Sequence, residues 1–476
     1  MMLCSVFIFS AARKKEISVL QVEPGFTIET VLEDLSVPWE IVFLPDNSML
    51  FTERPGRVRL YRKGKLLASP LLQLTDIDST KKMGLLGLAL HPSFNNNSYL
   101  YLAYNYKSSD RSWLKVVRYT MQKDTLIQPK TIIEQIPANP NHTGCRLKFG
   151  PDNKLYITTG DADEAAKAQN KNTFNGKILR LNDDGTIPAD NPFVNMPEAR
   201  VEIWSYGHRN SQGLAFQPRT NKIYISEHGP NGGDEINIVT KGANYGWPVI
   251  HHQQTKDSMI SPLLEFTPSI GPAQAIFYNS NVLPQFKDHL LVACLRGEAI
   301  LDIELNDTGG VAKHEFLIQK KLGRIRALAV GPDGYLYLST SQKDPPEGKP
   351  GPGDDKIIRL LPSKLTAAAK PAGKSPAVKP EPNKKTVNNT LQANTPQKLF
   401  QDLCMNCHGS QLKGSQWAKP ISKTSWKHGG SLDKVITSIT KGYPDKGMPA
   451  WEGAIPQQDI KKLAAYFIKM TDKNKK

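Results

Sequence analysis

Residues 147–161 read LKFGPDNKLYITTGD, which is an apolar run, a turn around Pro151 and a second apolar run. The pattern recurs at 40–54 (EIVFLPDNSMLFTER), 88–104 (LALHPSFNNNSYLYLAY), 214–229 (LAFQPRTNKIYISEHG) and 328–340 (LAVGPDGYLYLST), with a weaker copy at 281–297 (NVLPQFKDHLLVACLRG). Each copy predicts two antiparallel strands joined by a tight turn, and the spacing leaves room for a further hairpin.

Six copies of this unit predict a closed ring. A proline marks each turn, 47 to 67 residues after the previous one, at Pro45, Pro92, Pro151, Pro218, Pro284 and Pro332. A single four-stranded blade cannot bury both of its faces, whereas a ring of blades can. The sequence therefore predicts an all-β six-bladed β-propeller. A β-sandwich does not account for so long a period.

The segment Cys404-Met405-Asn406-Cys407-His408 predicts a second, smaller unit. Two thiols at this spacing add to the vinyl groups of a haem, and the adjacent His408 supplies an axial nitrogen to the iron. A bare Cys-x-x-Cys also occurs in redox-active and zinc sites. The adjacent histidine and the lack of a second cysteine pair favour a covalent c-type haem (heme c).

The sixth ligand of the haem iron is predicted to be Met448, in KGYPDKGMPAW. A thioether ligand raises the reduction potential, as an electron acceptor requires. Met470 is the alternative, but it ends an amphipathic segment that is typical of a core-facing helix. We expect terminal helices at 396–408 and 456–470. In motif and order, residues 397–476 resemble a class I cytochrome c, which implies a small all-α cytochrome c domain.

Composition divides the chain into four parts. Residues 363–396 are rich in Pro and Lys and predict a solvated linker between a propeller at 22–362 and the cytochrome domain. Residues 1–21 are predicted to be a leader, because MMLCSVFIFSAA resembles a secretory signal, although no basic stretch precedes it. Haem attachment to this motif occurs outside the cytoplasm, so we expect a periplasmic or otherwise extracytoplasmic protein. No other apolar stretch approaches the ~20 residues of a membrane span.

The formal net charge of +16 is concentrated in the last 114 residues, which hold +13. Residues 397–476 contain Lys but no Arg, which is typical of a solvated surface and not of a nucleic-acid reader. A basic haem domain could instead steer toward an acidic redox partner or an anionic membrane face.

Charged residues recur at one register of the propeller. His142 and Arg209 each lie nine residues before a turn proline, and Arg324 and Arg326 lie eight and six before theirs. Residues at one register gather at one end of the channel. Clustered arginines repel unless an anion separates them, so a polycarboxylated ligand is implied, although arginines at strand ends are also commonly solvated or paired with Asp. Asp161 is placed to orient the imidazole of His142 as a base.

The segment 227–235, EHGPNGGDE, is rich in main-chain oxygens and acids. Such ligands suit Ca²⁺. The same composition also makes an ordinary turn, so the segment alone leaves both interpretations open.

Several ordered runs resemble the soluble aldose/glucose dehydrogenases that use pyrroloquinoline quinone (PQQ). They are GLLGLALHPSF (84–94), NHTGCRLKFGPDNKLYITTGD (141–161), GKILRLNDDGTIPADNPF (176–193), SYGHRNSQGLAFQP (205–218), EHGPNGGDEINIV (227–239), GANYGWP (242–248) and RIRALAVGPDGYLYL (324–338). The resemblance covers roughly 22–362. It implies a six-bladed propeller with the quinone at the top of the channel.

The resemblance also implies roles for individual residues. His142 matches the catalytic base and Asp161 its orienting partner. The positions that match quinone contacts are Arg209, Asn210, Arg296, Arg324 and Arg326. Main-chain oxygens of Gly229 and Pro230 match ligands of a Ca²⁺ ion that touches the cofactor, and Glu235 and Tyr245 match a second Ca²⁺ site.

Two departures from the family pattern concern the substrate. Lys82 stands where the family often has Gln or Glu, and Asn141 stands where some members have Asp. Both positions border the sugar, so the resemblance does not identify the substrate.

The sequence therefore predicts a quinohaemoprotein that oxidises an aldose by hydride transfer to PQQ. Electrons would pass to the attached haem and then to a downstream acceptor, namely a cytochrome, an oxidase or the quinone pool. Two alternatives remain: a non-catalytic binding propeller tethered to a cytochrome, and an enzyme for a sugar-derived aldehyde or polyol-like alcohol. The oligomeric state is left open.

Overall fold

The structure is a computed structural model. It describes residues 19–23, 25–344, 348–363, 395–400, 404–409, 412–414, 420–422, 426–443, 448, 451 and 455–473. Most of the leader and the linker expected from the sequence lies outside the described residues.

Twenty-six strands form six antiparallel sheets in the described part of the chain. The chain begins with β1 (Val19–Glu23) and β2 (Phe26–Leu32). The first blade contains β3 (Pro38–Phe43), β4 (Met49–Glu53), β5 (Arg57–Arg62), β6 (Lys65–Leu66) and β7 (Leu72–Gln73). The second contains β8 (Leu85–Leu90), the one-turn helix α1 (Phe94–Asn97), β9 (Tyr99–Ser108), β10 (Arg111–Gln122) and β11 (Thr125–Pro137).

The remaining four blades repeat this arrangement. The third contains β12 (Leu147–Phe149), β13 (Leu155–Thr158), β14 (Lys177–Leu181) and β15 (Ile203–Tyr206). The fourth contains β16 (Ser211–Phe216), β17 (Ile223–Glu227), β18 (Asp234–Val239) and β19 (Leu264–Phe266). The fifth contains β20 (Pro272–Phe277), β21 (Leu290–Cys294), β22 (Ala299–Leu305) and β23 (Val311–Leu317). The sixth contains β24 (Ile325–Val330), β25 (Leu336–Thr340) and β26 (Ile357–Pro362).

The ring is closed by the N-terminal strands, which complete the sixth blade. Strand β2 pairs antiparallel with β26, placing Phe26 opposite Pro362, and β1 pairs with β2. Each innermost strand contacts the next around the ring, and β24 contacts β3. The six-bladed propeller predicted from the sequence is thus confirmed. Strand β1 begins three residues before the expected propeller start at residue 22.

The apolar core is divided into six clusters, one between each pair of neighbouring blades. Between the first and second blades, for example, Leu50 and Leu60 pack against Leu88 and Leu102, and all four side chains are buried. Burial of one such side chain stabilises the fold by about 1.5–3 kcal/mol. Because each blade lends its faces to two clusters, the core exists only when the ring is complete.

All six turn prolines lie between the first and second strands of a blade, as the repeats predicted. Even the weak copy conforms, because Pro284 opens a short 3₁₀ turn, Pro284–Phe286, between β20 and β21. The two strands are antiparallel, so the residues that enter the first strand and those that leave the second meet at the opposite end of the blade. In each blade, the loop before the first strand and the loop after the second strand therefore line the same mouth of the channel.

The C-terminal region contains α2 (Pro396–Leu399), α3 (Met405–His408), α4 (Leu432–Lys441) and α5 (Gln457–Lys473). Helix α5 buries Ile460, Leu463, Ala464 and Phe467, which confirms the amphipathic helix expected there. Helix α4 was missed, although Ser431 precedes it and Gly442 follows it, which are typical helix boundary residues. None of the helices in the described ranges is long and apolar enough to cross a bilayer.

Candidate active site

One mouth of the propeller channel opens into a cavity of about 310 Å³. The predicted site residues that line this cavity are His142, Arg209, Asn210, Gly229, Arg296, Arg324 and Arg326. They come from the loops that enter β12, β16 and β24, from the start of β24 itself, where Arg326 lies, and from the loops that leave β17 and β21. The register seen in the sequence thus brings these side chains together in space.

His142 is held by a buried carboxylate. Its Nδ1 donates to Asp161 Oδ1 at 2.7 Å, and the side chain of Asp161 is only 1% exposed. The other oxygen of Asp161 accepts the indole N–H of Trp247 at 2.8 Å. With Nδ1 engaged as a donor, Nε2 of the neutral imidazole is left as a proton acceptor. The arrangement suits a general base at the wall of the cavity.

Asp344 forms the centre of an arginine cluster. Its carboxylate pairs with Arg54 and Arg326, and Arg324 lies 3.8 Å away. Burial by itself would raise the pKa of Asp344, but the three guanidinium groups outweigh it and hold that pKa below its usual value. Burial also lowers the pKa of Arg326 to about 10. Asp344 therefore balances part of the positive charge of these arginines within the protein. This agrees with the alternative that the arginines are paired with Asp.

Arg209 and His228 occupy the opposite wall. Arg209 donates to the carbonyl of His228 at 3.0 Å and stacks on Trp247, with its guanidinium 5.3 Å from the ring centre. Burial lowers the pKa of Arg209. Burial, reinforced by Arg209 and Arg326, lowers the pKa of His228 well below its usual value, so this imidazole is neutral and donates to the carbonyl of Pro272.

The cavity still carries an excess of positive charge. Among its described lining residues, five are cationic (Lys82, Arg209, Arg296, Arg324 and Arg326) and two are acidic (Asp234 and Asp344). The buried Nε atoms of Arg209 and Arg326 have no hydrogen-bond partner in the part of the chain that the structure describes. Unpaired buried donors and surplus cationic charge suit a ligand with several carboxylates. The residues present therefore fit PQQ.

The glycine-rich turn after β17 reaches the edge of the cavity. The N–H of Gly229 donates to Asp234 Oδ1 at 2.9 Å, and a Cβ at Gly229 would lie 1.9 Å from the main-chain oxygen of Gly233. Only glycine fits there. Of the two predicted Ca²⁺ ligands, Gly229 lines the cavity, and Pro230 follows it in the chain. The metal itself remains a prediction.

The second predicted Ca²⁺ site contains three glutamates on neighbouring strands. Glu235 lies directly opposite Glu227 on one side and Glu265 on the other. Burial, together with these like charges, raises the pKa of Glu235 to about 8. The hydroxyl of Tyr245 donates to Ile238 O at 2.6 Å and accepts from the N–H of Thr240 at 2.8 Å, so a ligand role for Tyr245 stays a prediction. A cation here would relieve the repulsion among the carboxylates.

In the C-terminal domain, the attachment motif adjoins the core. Cys404 is buried, and Cys407 lies in α3 by its backbone, while its side chain is outside the described part. Burial lowers the pKa of His408, and its buried Nδ1 has no partner among the described residues. A neutral, partly buried imidazole fits an iron ligand. Met448 and Met470 both pack against this core, so the choice of Met448 stays a prediction.

Both residues that depart from the family pattern, Lys82 and Asn141, line the cavity. Their placement agrees with the expectation that they border the substrate. Sequence reasoning missed Asp344, Arg54 and Trp247. Arg54 and Asp344 could have been found, because they follow the second strand of their blades, the position that Asp161 occupies after β13.

Comparison with known proteins supports two units. Residues 35–346 match the family model described as glucose/sorbosone dehydrogenase, and residues 391–467 match the model described as cytochrome c oxidase, cbb3-type, subunit III. The chain is 36% identical to aldose sugar dehydrogenase YliI of Escherichia coli over 345 residues, which is 68% of this chain and 93% of that protein.

Two further relatives are dehydrogenases that bear on the cofactor. Quinoprotein glucose dehydrogenase B of Acinetobacter calcoaceticus is 37% identical over 254 residues, 47% of this chain and 52% of that protein. The solved PQQ-bound form of aldose sugar dehydrogenase from Streptomyces coelicolor is 28% identical with a TM-score of 0.63, covering 73% of this chain and 98% of that one.

Proposed function

Because residues 35–346 match its model, this chain belongs to the glucose/sorbosone dehydrogenase family, and we propose that it oxidises an aldose with bound PQQ and passes the electrons to its own c-type haem. The relatives include an aldose sugar dehydrogenase and a quinoprotein glucose dehydrogenase, and one solved relative holds PQQ. The chain is therefore an oxidoreductase with a cytochrome c domain added.

The observation that carries the proposal is a base beside a cationic cavity. His142 is locked by Asp161 at 2.7 Å, and the lining of the same cavity includes Arg209, Arg324 and Arg326. The neutral imidazole removes the proton from the anomeric hydroxyl through Nε2. Asp161 fixes the tautomer and stabilises the imidazolium that forms.

The quinone would be held by Arg209, Asn210, Arg296, Arg324 and Arg326, with Ca²⁺ bound by the main-chain oxygens of Gly229 and Pro230. When bound, PQQ supplies the hydride acceptor and Ca²⁺ polarises it as a Lewis acid. The protein's own contribution is orientation and charge. Arginine forks match carboxylates in plane, and Asp344 keeps two of these forks in fixed directions.

The haem gives the enzyme an attached electron acceptor. Cys404 and Cys407 would hold the porphyrin, with His408 and Met448 on the iron, which favours a raised potential. The Pro- and Lys-rich residues 363–396 tether this domain and set the effective concentration of its encounter with the propeller. Because haem is attached to such motifs outside the cytoplasm, we place the protein in the periplasm or a similar compartment, facing a downstream cytochrome, oxidase or quinone pool.

The substrate class is an aldose or a related aldehyde or alcohol. Lys82 and Asn141 line the cavity and differ from the family pattern. We therefore expect the preferred sugar to differ from that of family members with the usual residues at these two positions.

The test uses the full chain, loaded with PQQ and Ca²⁺, and an artificial dye as acceptor. Aldoses, sugar-derived aldehydes and polyols are added in turn, and dye reduction is followed. We expect the fastest reduction with an aldose and none without PQQ. PQQ that fails to bind, or dye that stays oxidised with the whole panel, would overturn the proposal in favour of a binding propeller.

A further inference from the structure

A second carboxylate contacts the same nitrogen of His142 that Asp161 holds. Asp163 Oδ1 lies 3.0 Å from His142 Nδ1, against 2.7 Å for Asp161 Oδ1. The two carboxylates differ in burial, because the side chain of Asp163 is 35% exposed and that of Asp161 is 1% exposed. The hydrogen bond of Nδ1 goes to the buried Asp161, and the partly exposed carboxylate of Asp163 lies at ion-pair distance from the same nitrogen.

The side chain of Asp163 is fixed in place. Its own N–H donates to Asp161 Oδ1 at 2.9 Å, and its Oδ2 accepts from the side-chain amide of Asn141 at 2.9 Å. The backbone of Asp163 has φ = +60°, a left-handed conformation that Asp and Asn tolerate best after glycine. The turn, the amide and the imidazole therefore hold the carboxylate from three sides.

Other charged and titratable groups also surround His142. Arg209, from the loop before β16, is attracted by both Asp161 and Asp163. The neutral His228, from the turn after β17, interacts with His142, and Lys82 lines the same cavity. The cations disfavour a positive imidazolium, and the two carboxylates favour it. Asp163 Oδ1 lies 3.0 Å from Nδ1, so its charge helps to stabilise the imidazolium.

We propose that Asp163 is a second positioning carboxylate for His142, whose negative charge beside Nδ1 adds to that of Asp161 and makes the imidazole a stronger base. The inference rests on the proposed function, because it concerns the proton that His142 removes from the sugar. Since Asp163 is partly exposed, water screens its charge, and its effect is smaller than that of Asp161. Asn141 acts through Asp163 by holding the outer oxygen.

The test is the pH profile of kcat/KM for Asp163→Asn in the PQQ-loaded full chain, with the dye as acceptor. Asn keeps the left-handed backbone and removes only the charge. The acidic limb of the kcat/KM profile reports the base in the free enzyme. Loss of a nearby carboxylate should shift the midpoint of this limb to lower pH by roughly 0.5–1 pH unit. We expect kcat at neutral pH to fall about 3- to 10-fold, because a weaker base transfers the proton less readily.

Two variants accompany this measurement. Asn141→Ala frees the outer oxygen of Asp163 and should shift the limb in the same direction by less. Asp110→Asn is the matched control, because Asp110 is an exposed aspartate with φ = +60° in the β9–β10 turn, and its profile should stay unchanged.

The outcomes separate the inference from the proposed function. A limb that stays in place in Asp163→Asn, with kcat either normal or uniformly reduced, overturns the role of Asp163, because a purely structural residue would not move the limb. Wild-type protein that reduces no dye with any sugar overturns the proposed function itself, whatever the variants do.

Discussion

The two mouths of the propeller channel are built from the same six inner strands and have opposite chemistry. One is the cationic cavity of about 310 Å³, and the other is a funnel of about 830 Å³. The lining of the funnel is mostly apolar and includes Phe43, Leu90, Phe149, Phe216, Phe277 and Val330, together with turn prolines. The fold fixes the turns at the funnel, whereas the loops at the cavity are free to carry chemistry.

The two mouths differ most clearly in the charged residues that line them. Among the described residues that line the funnel, Lys148 and Glu40 are the charged ones, and Glu40 is paired with the buried Arg146 in the channel. Burial lowers the pKa of Lys148, although Glu40 partly opposes this. A group with a shifted pKa therefore occurs at both ends. Only the cavity combines it with a positioned base and several guanidinium groups.

The largest expected effect comes from removing the base at the cavity. His142→Ala should lower the rate of substrate-dependent PQQ reduction by roughly 10²–10⁴-fold, the usual contribution of a general base. The rate is measured in a single turnover, so that binding and acceptor steps do not interfere. A loss of less than tenfold would remove His142 from the role of base.

Cofactor affinity should separate two arginines of the same blade. Arg209 lies at the cavity, and Arg219 follows the turn proline Pro218 at the funnel end. Arg209→Gln should weaken PQQ binding by roughly 10- to 100-fold, since a charge-assisted pair in a buried site contributes about 1.5–3 kcal/mol. Arg219→Gln is the matched control. Equal affinities in a fluorescence titration of the two variants would contradict the assignment of the cavity.

The pH dependence of stability should reveal Glu235. A carboxyl whose pKa is raised to about 8 binds its proton more tightly in the folded state, so Ca²⁺-free protein should lose stability as pH rises from about 5 to 8. Thermal unfolding would show Tm falling by several degrees over that range. Glu235→Gln should flatten the slope, and Ca²⁺ should restore Tm in the wild type but not in the variant. A flat wild-type profile without Ca²⁺ would contradict this account.

The smallest effect is expected at the funnel. Lys148→Met should leave kcat and PQQ affinity within about twofold, because Lys148 does not line the cavity. Its Tm should stay level or rise, since burial disfavours the charged lysine at neutral pH. A large loss of activity would show that the two mouths are coupled.

The propeller could be predicted because its signal is local and repeated. Each turn proline with its flanking apolar runs specifies one hairpin, and the weak copy around Pro284 was recognised from the other five. Helix α4 was missed because it occurs once and its buried face shows only Val435 and Ile439. The predicted leader and linker remain predictions, since most of their residues are outside the described part.

The site was predictable only along one register. His142, Arg209 and Arg326 stand at similar distances before a turn proline, so counting residues brought them together. Arg54 and Asp344 pair although 290 residues separate them, and no local pattern links one to the other. Trp247 reaches Asp161 from a long loop after β18. Partners from different blades meet only because the ring closes, which is a tertiary property.

If the oxidising cavity and the haem work as one enzyme, sugar oxidation should reduce the haem of the same molecule. Stopped-flow absorbance of the haem can show this, in full chain loaded with PQQ and Ca²⁺ and mixed with an aldose. We expect haem reduction with a first-order rate that does not change with protein concentration, because the acceptor is tethered. Haem that stays oxidised while the sugar is consumed, or a rate proportional to protein concentration, would contradict it.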